Sequence, residues 1–410
     1  MDADADTSRI DFDPSSESKI LLDLEGKPWS KHFLASALSL PPSSILSVSI
    51  VFGTDRPQST SHSAVLKITT PTTTPSLYIK KIAAIDIDKE YPDLRRNLCY
   101  ARNELTFYQT CATSCDTPTL LHLHNNTSSI GLHDVSDPPG SPPSSFTGVG
   151  GVLLLSPVST DHYFQKSPLT IPEVKLALKT LAKLHVSHWE SSTLSSLNLQ
   201  TYGGSYALPN RNPNELSKVS KNFKKFCESF SPINPSFYTP EILSLGSRLE
   251  SAATSISSRL LTKGSFNTLI HGDSKAMNIF LPKTTDSPGL LIDFASSGVG
   301  IGMSDVSMTF VHAILPEDLR EYGEEKLIED YLGYLKDDGV IYDKEIAIEH
   351  FNLGVCDYAR FMFGRFWGSA TPETFEKKKA NENVALVNRN IEAAEALIKR
   401  VDEALTFLKY

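Results

Sequence analysis

The sequence changes character near residue 157, and this change limits what the chain can fold into. Before that point, short β-branched runs alternate with turn-forming residues, a pattern that is typical of a small antiparallel sheet. The runs are residues 45–52, 64–69, 77–82 and 151–155. One helix is predicted between them, at about residues 92–110, where apolar side chains recur with helical periodicity.

Helical patterns dominate after residue 157. Thr170 and Glu173 form a capping-box pattern, and a periodic apolar run follows them. Further helices are predicted over about residues 239–264 and 324–335. From residue 384 onward, apolar residues follow a seven-residue repeat, which suits a coiled coil or a helix packed against its own domain. Because this helix ends a globular chain, we expect the second arrangement.

The chain of 410 residues is long enough for two compact parts. We predict an α+β fold with two lobes. The first, over residues 19–157, is a small antiparallel sheet with one helix, and the second, over residues 158–410, is larger and mainly helical. Residues 1–18 are acidic and polar, so we expect a disordered tail there.

Composition argues against several kinds of partner. The net charge of −9 is unfavourable for an extended nucleic-acid surface, which needs a dense basic footprint. The N-terminus is too acidic for a secretory signal or a transit peptide, and no apolar stretch approaches the roughly 20 residues that cross a bilayer. We therefore expect a cytoplasmic protein that binds neither nucleic acid nor membranes and is a monomer or a weak dimer.

The five cysteines are an odd number in a long chain, which argues against a disulfide framework. Cys111 and Cys115 are spaced for one helical turn, but no second pair of metal ligands accompanies them. We expect reduced, partly buried thiols.

Residues 269–294 carry the most informative pattern in the chain. An apolar pair leads into the His-Gly-Asp triplet that ends at Asp273, and Asn278 follows five residues later. A short apolar run, a turn-rich stretch and a second apolar run then lead to Asp293. This order predicts strand, loop, strand, turn and strand, and the hairpin brings Asp293 back beside Asn278.

These three polar residues suit phosphoryl transfer. Asn278 and Asp293 offer hard oxygen ligands, and magnesium is held in proteins by one or two carboxylates together with water and phosphate. Asp273 is then left to accept the proton of an attacking hydroxyl group. The alternative interpretation is a buried polar turn that only braces two strands.

The motif HGD-x-x-x-x-N followed by IDF resembles the catalytic core of the aminoglycoside phosphotransferase and choline kinase-like superfamily. The ecdysteroid kinase-like branch is the most similar. Residues 181–189 resemble the helix that precedes the catalytic loop, and residues 298–306 resemble the stretch after the metal-binding aspartate. The resemblance extends over about residues 20–410 and is strong over about residues 181–310.

This resemblance implies a two-lobed, protein-kinase-like fold. It implies Asp273 as the catalytic base and Asn278 and Asp293 as the magnesium ligands. It also implies that Asp305 is structural and either caps the next helix or braces the catalytic loop.

A nucleotide site also needs cations, and Lys80 and Lys81 lie in the run 77–82. Strand alternation puts Lys80 on one face and Lys81 on the other. The resemblance points to Lys80 as the residue that contacts the α- and β-phosphates, with Lys81 as the second choice. Glu104 lies on the side of its predicted helix that faces the sheet, where it suits an ion pair with Lys80. For each of the three, the alternative is a solvent-facing charge.

The apolar run 151–155, followed by Ser156 and Pro157, is similar to the hinge between the lobes of these kinases. There Leu155 and Ser156 are expected to contact the adenine of the nucleotide, although an ordinary buried strand is the alternative. Residues 54–63 occupy the place of the phosphate-covering loop, but they contain no G-x-G-x-x-G motif. This departure from the family pattern puts tight ATP binding in question.

Tyr358, Arg360, Arg365 and Trp367 lie in one aromatic and basic run. Such side chains suit the wall of a pocket for the acceptor molecule. Packing in the core is the equally open alternative.

We predict a small-molecule kinase that transfers the γ-phosphoryl group of ATP, bound with Mg²⁺, to a hydroxyl group of a small metabolite. One alternative is a weakly active or inactive nucleotide-binding pseudokinase, which the glycine-poor loop favours. A protein kinase is a less favoured alternative, because the chain lacks HRD, DFG and APE triplets where each is needed. The identity of the acceptor does not follow from the fold.

Overall fold

The structure is a computed structural model that describes residues 18–51, 53–54, 56–57, 61–127, 134–138, 140–262, 264–284 and 287–410. The predicted disordered tail therefore lies outside the described residues, apart from Ser18. The chain divides into two compact units. The N-terminal unit comprises Met1–Ala112 and Thr117–Ser159, and the C-terminal unit comprises Thr113–Asp116 and Thr160–Tyr410.

The N-terminal unit is built on one antiparallel sheet. Its strands lie in the order β1-β3-β4-β6-β5, and the short β2 pairs with β3. The strands are β1 Ser47–Ile50, β2 Arg56–Pro57, β3 His62–Thr69, β4 Ser76–Ala83, β5 Leu120–Asn125 and β6 Gly150–Leu155, and the helices are α1 Lys31–Ala37 and α2 Tyr91–Thr110.

Strand alternation divides the side chains of β4 between the two faces of this sheet. Leu77 and Ile79 are fully buried on the face that packs against residues 20–38, which include α1. The other face packs against α2, and a side chain added to Gly151 of β6 would meet Leu105 of that helix at 2.1 Å. Two covered faces explain why the runs that predicted these strands are so apolar.

The same alternation sends two neighbouring lysines in opposite directions. Lys80 points to the α2 face, where it pairs with Glu104. Lys81 points to the opposite face and is buried; its ammonium group donates to the backbone oxygens of Lys19 and Leu22 and pairs with Asp86 at 2.8 Å. Lys81 therefore holds the N-terminal segment against the sheet, and its second-choice role as a phosphate ligand is not compatible with these contacts.

The C-terminal unit is mainly helical. Its helices are α3 Ile171–Ser187, α4 Pro213–Leu216, α5 Val219–Phe230, α6 Pro240–Leu261, α7 Gly302–Ala313, α8 Pro316–Tyr322, α9 Glu324–Asp337, α10 Lys344–Arg365, α11 Pro372–Lys378 and α12 Ile391–Phe407. Helix α10 lies at the centre and packs against α5, α6, α7 and α12. Its sequence is apolar on most sides, as expected of a helix surrounded by others.

Two small sheets accompany these helices. One contains β7 (Tyr163–Phe164), β9 (Ile279–Pro282) and β10 (Leu290–Leu291), in the order β10-β9-β7. The other pairs β8 (Asn267–Ile270) with β11 (Gly298–Ile301) in antiparallel fashion. Together they place the loop that follows β8 next to the hairpin of β9 and β10.

The predicted α+β fold, with a small antiparallel sheet followed by a larger helical part, is confirmed. Thr170 and Glu173 form the predicted capping box at the start of α3. All five cysteines are free and buried. Among the described residues, no helix has the length and apolar character needed to cross a membrane.

Helices α5, α8, α10 and α11 fall outside the segments that were predicted to be helical. Two further elements also differ from the prediction. Helix α1 was not predicted, because its short sequence shows little periodicity and it forms by packing on the sheet. The last helix begins at Ile391 rather than at residue 384, since Asn390 caps its N-terminus and residues 386–388 form a 3₁₀ turn. Ala394, Ile398 and Val401 are buried in the C-terminal unit, as expected of a helix packed against its own domain.

We predict that Lys81→Met destabilises the protein by about 3 kcal/mol, because Asp86 and two backbone oxygens lose a buried donor. Denaturant unfolding measures the loss. Lys67→Met is the matched control, since Lys67 is exposed on the neighbouring strand β3. Equal stability of the two variants would show that the contacts of Lys81 contribute nothing to folding.

Candidate active site

The loop that follows β8 is held by a buried carboxylate. Asp305, in the first turn of α7, accepts hydrogen bonds from the backbone N–H groups of His271 at 2.7 Å and Gly272 at 2.9 Å. Its backbone oxygen accepts from the hydroxyl of Ser274 at 2.8 Å. The carboxylate and the backbone oxygen of Asp305 thus both fix the loop, in agreement with the bracing role that the resemblance implied.

Asp305 is itself held from a third side. His185 Nε2 lies 3.1 Å from Asp305 Oδ2, and an ionised carboxylate only accepts, so Nε2 carries the proton. His185 Nδ1 lies 2.8 Å from the hydroxyl of Tyr331. Burial by itself raises the pKa of Asp305, but the hydrogen bonds from His185 and the backbone of Gly272 outweigh it and hold the pKa below its ordinary value.

His271 links the loop to the next strand. Its Nε2 donates to the backbone oxygen of Ile292 at 2.9 Å, and its Nδ1 accepts from the N–H of Asp273 at 3.2 Å. Because one nitrogen donates and the other accepts, the partners define the tautomer. The His271 ring therefore links the backbone N–H of Asp273 to the backbone oxygen of Ile292, the residue before Asp293.

Gly272 is required by the shape of this loop. Its φ is +75°, a left-handed conformation that favours glycine. A Cβ atom there would lie 2.2 Å from the backbone oxygen of Ser296 and 2.5 Å from the backbone nitrogen of Gly204. The middle residue of the His-Gly-Asp triplet therefore allows neighbouring backbone segments to approach.

Asp273 and Asn278 are in direct contact. Asn278 Nδ2 donates to the backbone oxygen of Asp273 at 2.8 Å and to its Oδ2 at 3.1 Å. Asn278 is 3% exposed, and the side chain of Asp273 is 23% exposed. Both bonds use the amide nitrogen, so Asn278 Oδ1 points away from Asp273. This oxygen is the atom of Asn278 that suits a metal ion.

The predicted hairpin carries Asp293 back to this loop. Strands β9 and β10 pair Ile279 with Leu291, and the N–H of Ile292 donates to the backbone oxygen of Asn278 at 3.0 Å. Asp293 follows directly and adopts φ +67° and ψ +61°. A left-handed aspartate is uncommon, and such a conformation is retained where the surrounding structure fixes it, often at functional sites.

The donor set at this loop suits a hard cation. An amide oxygen at Asn278 and a carboxylate at Asp293 are ligands that magnesium accepts when phosphate and water complete its shell. Among the described residues, no group of three or more His, Cys, Asp or Glu side chains is arranged to hold a metal ion. A metal held here would therefore depend on the oxygens of a bound substrate as well as on the protein.

The N-terminal unit contains the ion pair that the sequence predicted. Lys80 Nζ lies 2.7 Å from Glu104 Oε2 and 2.9 Å from Oε1. The side chains are 15% and 3% exposed, so the pair lies largely out of solvent. It orients the ammonium group of Lys80 on the α2 face of the sheet, and its contact with phosphate stays a prediction.

The expected hinge residues lie at the end of β6. Leu155 is buried and has neighbours on both sides, Tyr78 in β4 and Leu120 in β5. The N–H of Ser156 donates to the backbone oxygen of Thr119, and the Ser156 hydroxyl accepts from the N–H of Thr119, both at 2.9 Å. These groups of Ser156 are thus engaged within the N-terminal unit, and adenine binding there stays a prediction.

The loop predicted to cover phosphate is described only in part. Residues 55 and 58–60 lie outside the described residues. The backbone of β2, at Arg56–Pro57, pairs with His62 and Ser63 of β3 in antiparallel fashion.

The aromatic and basic run at the end of α10 and in the 3₁₀ turn that follows it mostly packs in the core. Tyr358, Arg360 and Trp367 are each at most 2% exposed. Arg360 pairs with Asp357 at 2.7 Å and donates to the backbone oxygen of Tyr206. Arg365 differs, because its side chain is 47% exposed and it contacts Glu215 at 2.9 Å.

Lys275 was not among the residues predicted for the site. Its Nζ lies 3.3 Å from Asp273 Oδ2. The sequence signal that could have identified Lys275 is its position two residues after Asp273, inside the turn that ends at Asn278. Without the fold, nothing distinguished it from an exposed charge.

Part of the chain matches a known family. Residues 147–339 match the model of the ecdysteroid kinase-like family. The segment is therefore similar to that family. It contains Asp273, Asn278 and Asp293, and the match confirms the resemblance that these motifs indicated. The ecdysteroid kinase-like segment thus includes β8, the loop after it and the hairpin of β9 and β10.

Solved structures of low similarity include three small-molecule kinases. An ethanolamine kinase from Plasmodium vivax is 12% identical, with 87% of this chain and 81% of that chain covered and a TM-score of 0.40. A choline kinase from Streptococcus pneumoniae is 14% identical, with 90% and 97% covered and a TM-score of 0.37. An aminoglycoside phosphotransferase from Streptomyces rimosus, solved with ADP and streptomycin, is 14% identical, with 80% and 97% covered and a TM-score of 0.33. No match was found among curated proteins.

We predict that Asp305→Asn destabilises the protein by about 3 kcal/mol at neutral pH. The amide keeps the shape of the side chain but turns one acceptor oxygen into a donor that faces donors. Denaturant unfolding measures the change, with the exposed Asp337→Asn as control. An Asp305→Asn protein as stable as that control would contradict the bracing role.

The same comparison has a defined pH dependence. The pKa of Asp305 is lower in the folded chain than in the unfolded chain, so its stabilising contribution is present above the unfolded value of about 3.9. The contribution is lost as the pH falls through the folded value. The stability difference between wild type and Asp305→Asn should therefore be constant from roughly pH 5 to 8 and shrink below roughly pH 4.

Proposed function

We propose that the protein is a small-molecule kinase that transfers the γ-phosphoryl group of ATP, bound with Mg²⁺, to a hydroxyl group of a small metabolite. The observation that carries this proposal is the contact between Asp273 and Asn278 on a loop braced by Asp305. The hairpin that brings residue 293 back to the same loop supports Asp293 as a second oxygen ligand beside Asn278. Magnesium bound by Asn278 Oδ1 and the Asp293 carboxylate would neutralise charge on the phosphates.

Asp273 is proposed as the proton acceptor. Its side chain is 23% exposed, so an alcohol can reach it, while its backbone is held by His271 and Asn278. The acceptor hydroxyl gives its proton to the carboxylate as its oxygen attacks the γ-phosphorus. A base fixed in this way saves the cost of orienting it at each turnover.

Lys80 is proposed to contact the α- and β-phosphates of ATP. Its ion pair with Glu104 supports this role, since it holds the charge of a flexible side chain in one place. The glycine-poor loop at residues 54–63 favours the second candidate, a nucleotide-binding protein with weak or no catalysis. Affinity for ATP distinguishes the two only when it is measured together with turnover.

The central prediction is that Asp273→Asn lowers turnover by about 100- to 10,000-fold, because the amide cannot accept the proton. Turnover is measured as ADP release from Mg-ATP with a panel of hydroxylated metabolites, which also identifies the acceptor. Asp338→Asn, an exposed acid in the same unit, should leave the rate unchanged. Near-normal turnover in Asp273→Asn would remove this residue from the mechanism, and no turnover by wild type with any acceptor would favour the pseudokinase.

Lys80→Met should weaken Mg-ATP binding by about 10- to 100-fold, since a charge-assisted contact to phosphate is lost. Calorimetric titration with ATP, with and without Mg²⁺, measures this effect. Lys67→Met serves again as the control on the neighbouring strand. Wild type is expected to bind more tightly with the metal, and unchanged affinity in Lys80→Met would assign the lysine to the fold alone.

A further inference from the structure

The carboxylate of Asp273 is held asymmetrically. Its Oδ2 lies 3.3 Å from Lys275 Nζ and accepts from Asn278 Nδ2 at 3.1 Å. Within the described part of the chain, its Oδ1 accepts no hydrogen bond. Both donors therefore meet one oxygen and leave the other oxygen to a bound molecule.

Lys275 is carried on a rigid turn. Its N–H donates to the backbone oxygen of Asp273, and its own oxygen accepts from the N–H of Asn278, both at 2.8 Å. The preceding residue, Ser274, is tied to α7 through Asp305 at 2.8 Å and Thr309 at 3.0 Å. A side chain on a fixed backbone loses less conformational entropy when it forms a contact than one on a flexible backbone. This favours a defined position for the Lys275 ammonium group.

Lys275 lies near a buried histidine, His312. Lys275 and Arg389 each lie near enough to His312 to act on it electrostatically. Burial first, and then the charges of Lys275 and Arg389, lower the pKa of His312 to about 3, so this ring is uncharged at neutral pH. The carboxylate of Asp273 supplies a negative charge, which lies 3.3 Å from the Lys275 ammonium group.

We propose that Lys275 is a positioning residue for phosphoryl transfer, which holds Asp273 Oδ2 so that Oδ1 faces the acceptor hydroxyl. This inference rests on the proposed function. In the step concerned, the hydroxyl proton moves to Oδ1 and the hydroxyl oxygen forms a bond to the γ-phosphorus. The bond between that phosphorus and the β,γ-bridging oxygen breaks, and its electron pair leaves with ADP.

The charged group of Lys275 restrains the Asp273 carboxylate more firmly than Asn278 can alone. The amide of Asn278 is shared between Asp273 and the proposed metal, so a shift of either would turn the carboxylate. A charge-assisted contact is stronger than a neutral one. Lys275 makes such a contact with Asp273 from within the same turn. A small misplacement of a catalytic group can cost about 100-fold in rate, so this second restraint has a measurable effect.

The test compares Lys275→Met, Lys275→Arg and Lys283→Met. Lys283 is exposed just after β9 and is the matched control. Rates are measured as ADP release from Mg-ATP, with the most active compound of the metabolite panel and with water alone as acceptor. Thermal unfolding shows that each variant is folded.

We expect Lys275→Met to lower kcat by about 10- to 100-fold while KM for ATP changes less than about threefold. Lys275→Arg should recover most of the loss, since it restores the positive charge. Lys283→Met should match wild type. A wild-type kcat in Lys275→Met, or a loss that appears only in KM, would overturn the proposal.

A structural measurement separates this inference from the proposed function. Crystals of Lys275→Met without nucleotide should show the Asp273 carboxylate rotated, with its contact to Asn278 Nδ2 lost. An unchanged carboxylate would refute the positioning role even if wild type is an active kinase. A rotated carboxylate in a protein with no turnover would leave Lys275 as the residue that orients Asp273 and refute the kinase instead.

Discussion

The hydrogen bonds accepted by the buried carboxylate of Asp305 are the interaction on which the candidate site depends. A fully buried charge is stable only when donors surround it, and here two backbone N–H groups of the loop and one ring nitrogen supply them. The loop therefore satisfies Asp305, and Asp305 in turn gives the loop one shape. Through Ser274, the same residue also fixes the turn that carries Lys275.

Charge is placed by backbone geometry in both units. In β4, the alternation of the strand sends Lys80 toward Glu104 and buries Lys81 against the N-terminal segment. In the loop after β8, a turn of six residues brings the amide of Asn278 back to Asp273. In each case the backbone decides which polar residue makes contacts that stabilise the fold and which one we propose as a ligand-binding residue.

Local patterns predicted a large part of this arrangement. The capping box at Thr170, the strands that flank residues 271–278 and the hairpin that returns to Asp293 all follow from short-range spacing, and the structure contains them. The pairing of Lys80 with Glu104 was also predictable, because strand and helix periodicity define which faces meet. Helix α1, the late start of α12 and the contact of Lys275 with Asp273 were not, since each depends on packing between distant segments or on the direction of one flexible side chain.

The sequence by itself determined a sheet-forming first part followed by a mainly helical second part, the spacing of Asp273, Asn278 and Asp293, and the resemblance that these residues carry. Only the tertiary structure decided that Asp305 and His185 hold the loop, that Lys81 is a buried anchor, and that both donors to Asp273 meet one oxygen. The physical reason is the sequence separation between the residues that interact. Spacing and periodicity act over a few residues, whereas the donors that satisfy the buried charge of Asp305 come from segments as distant as residues 185 and 271.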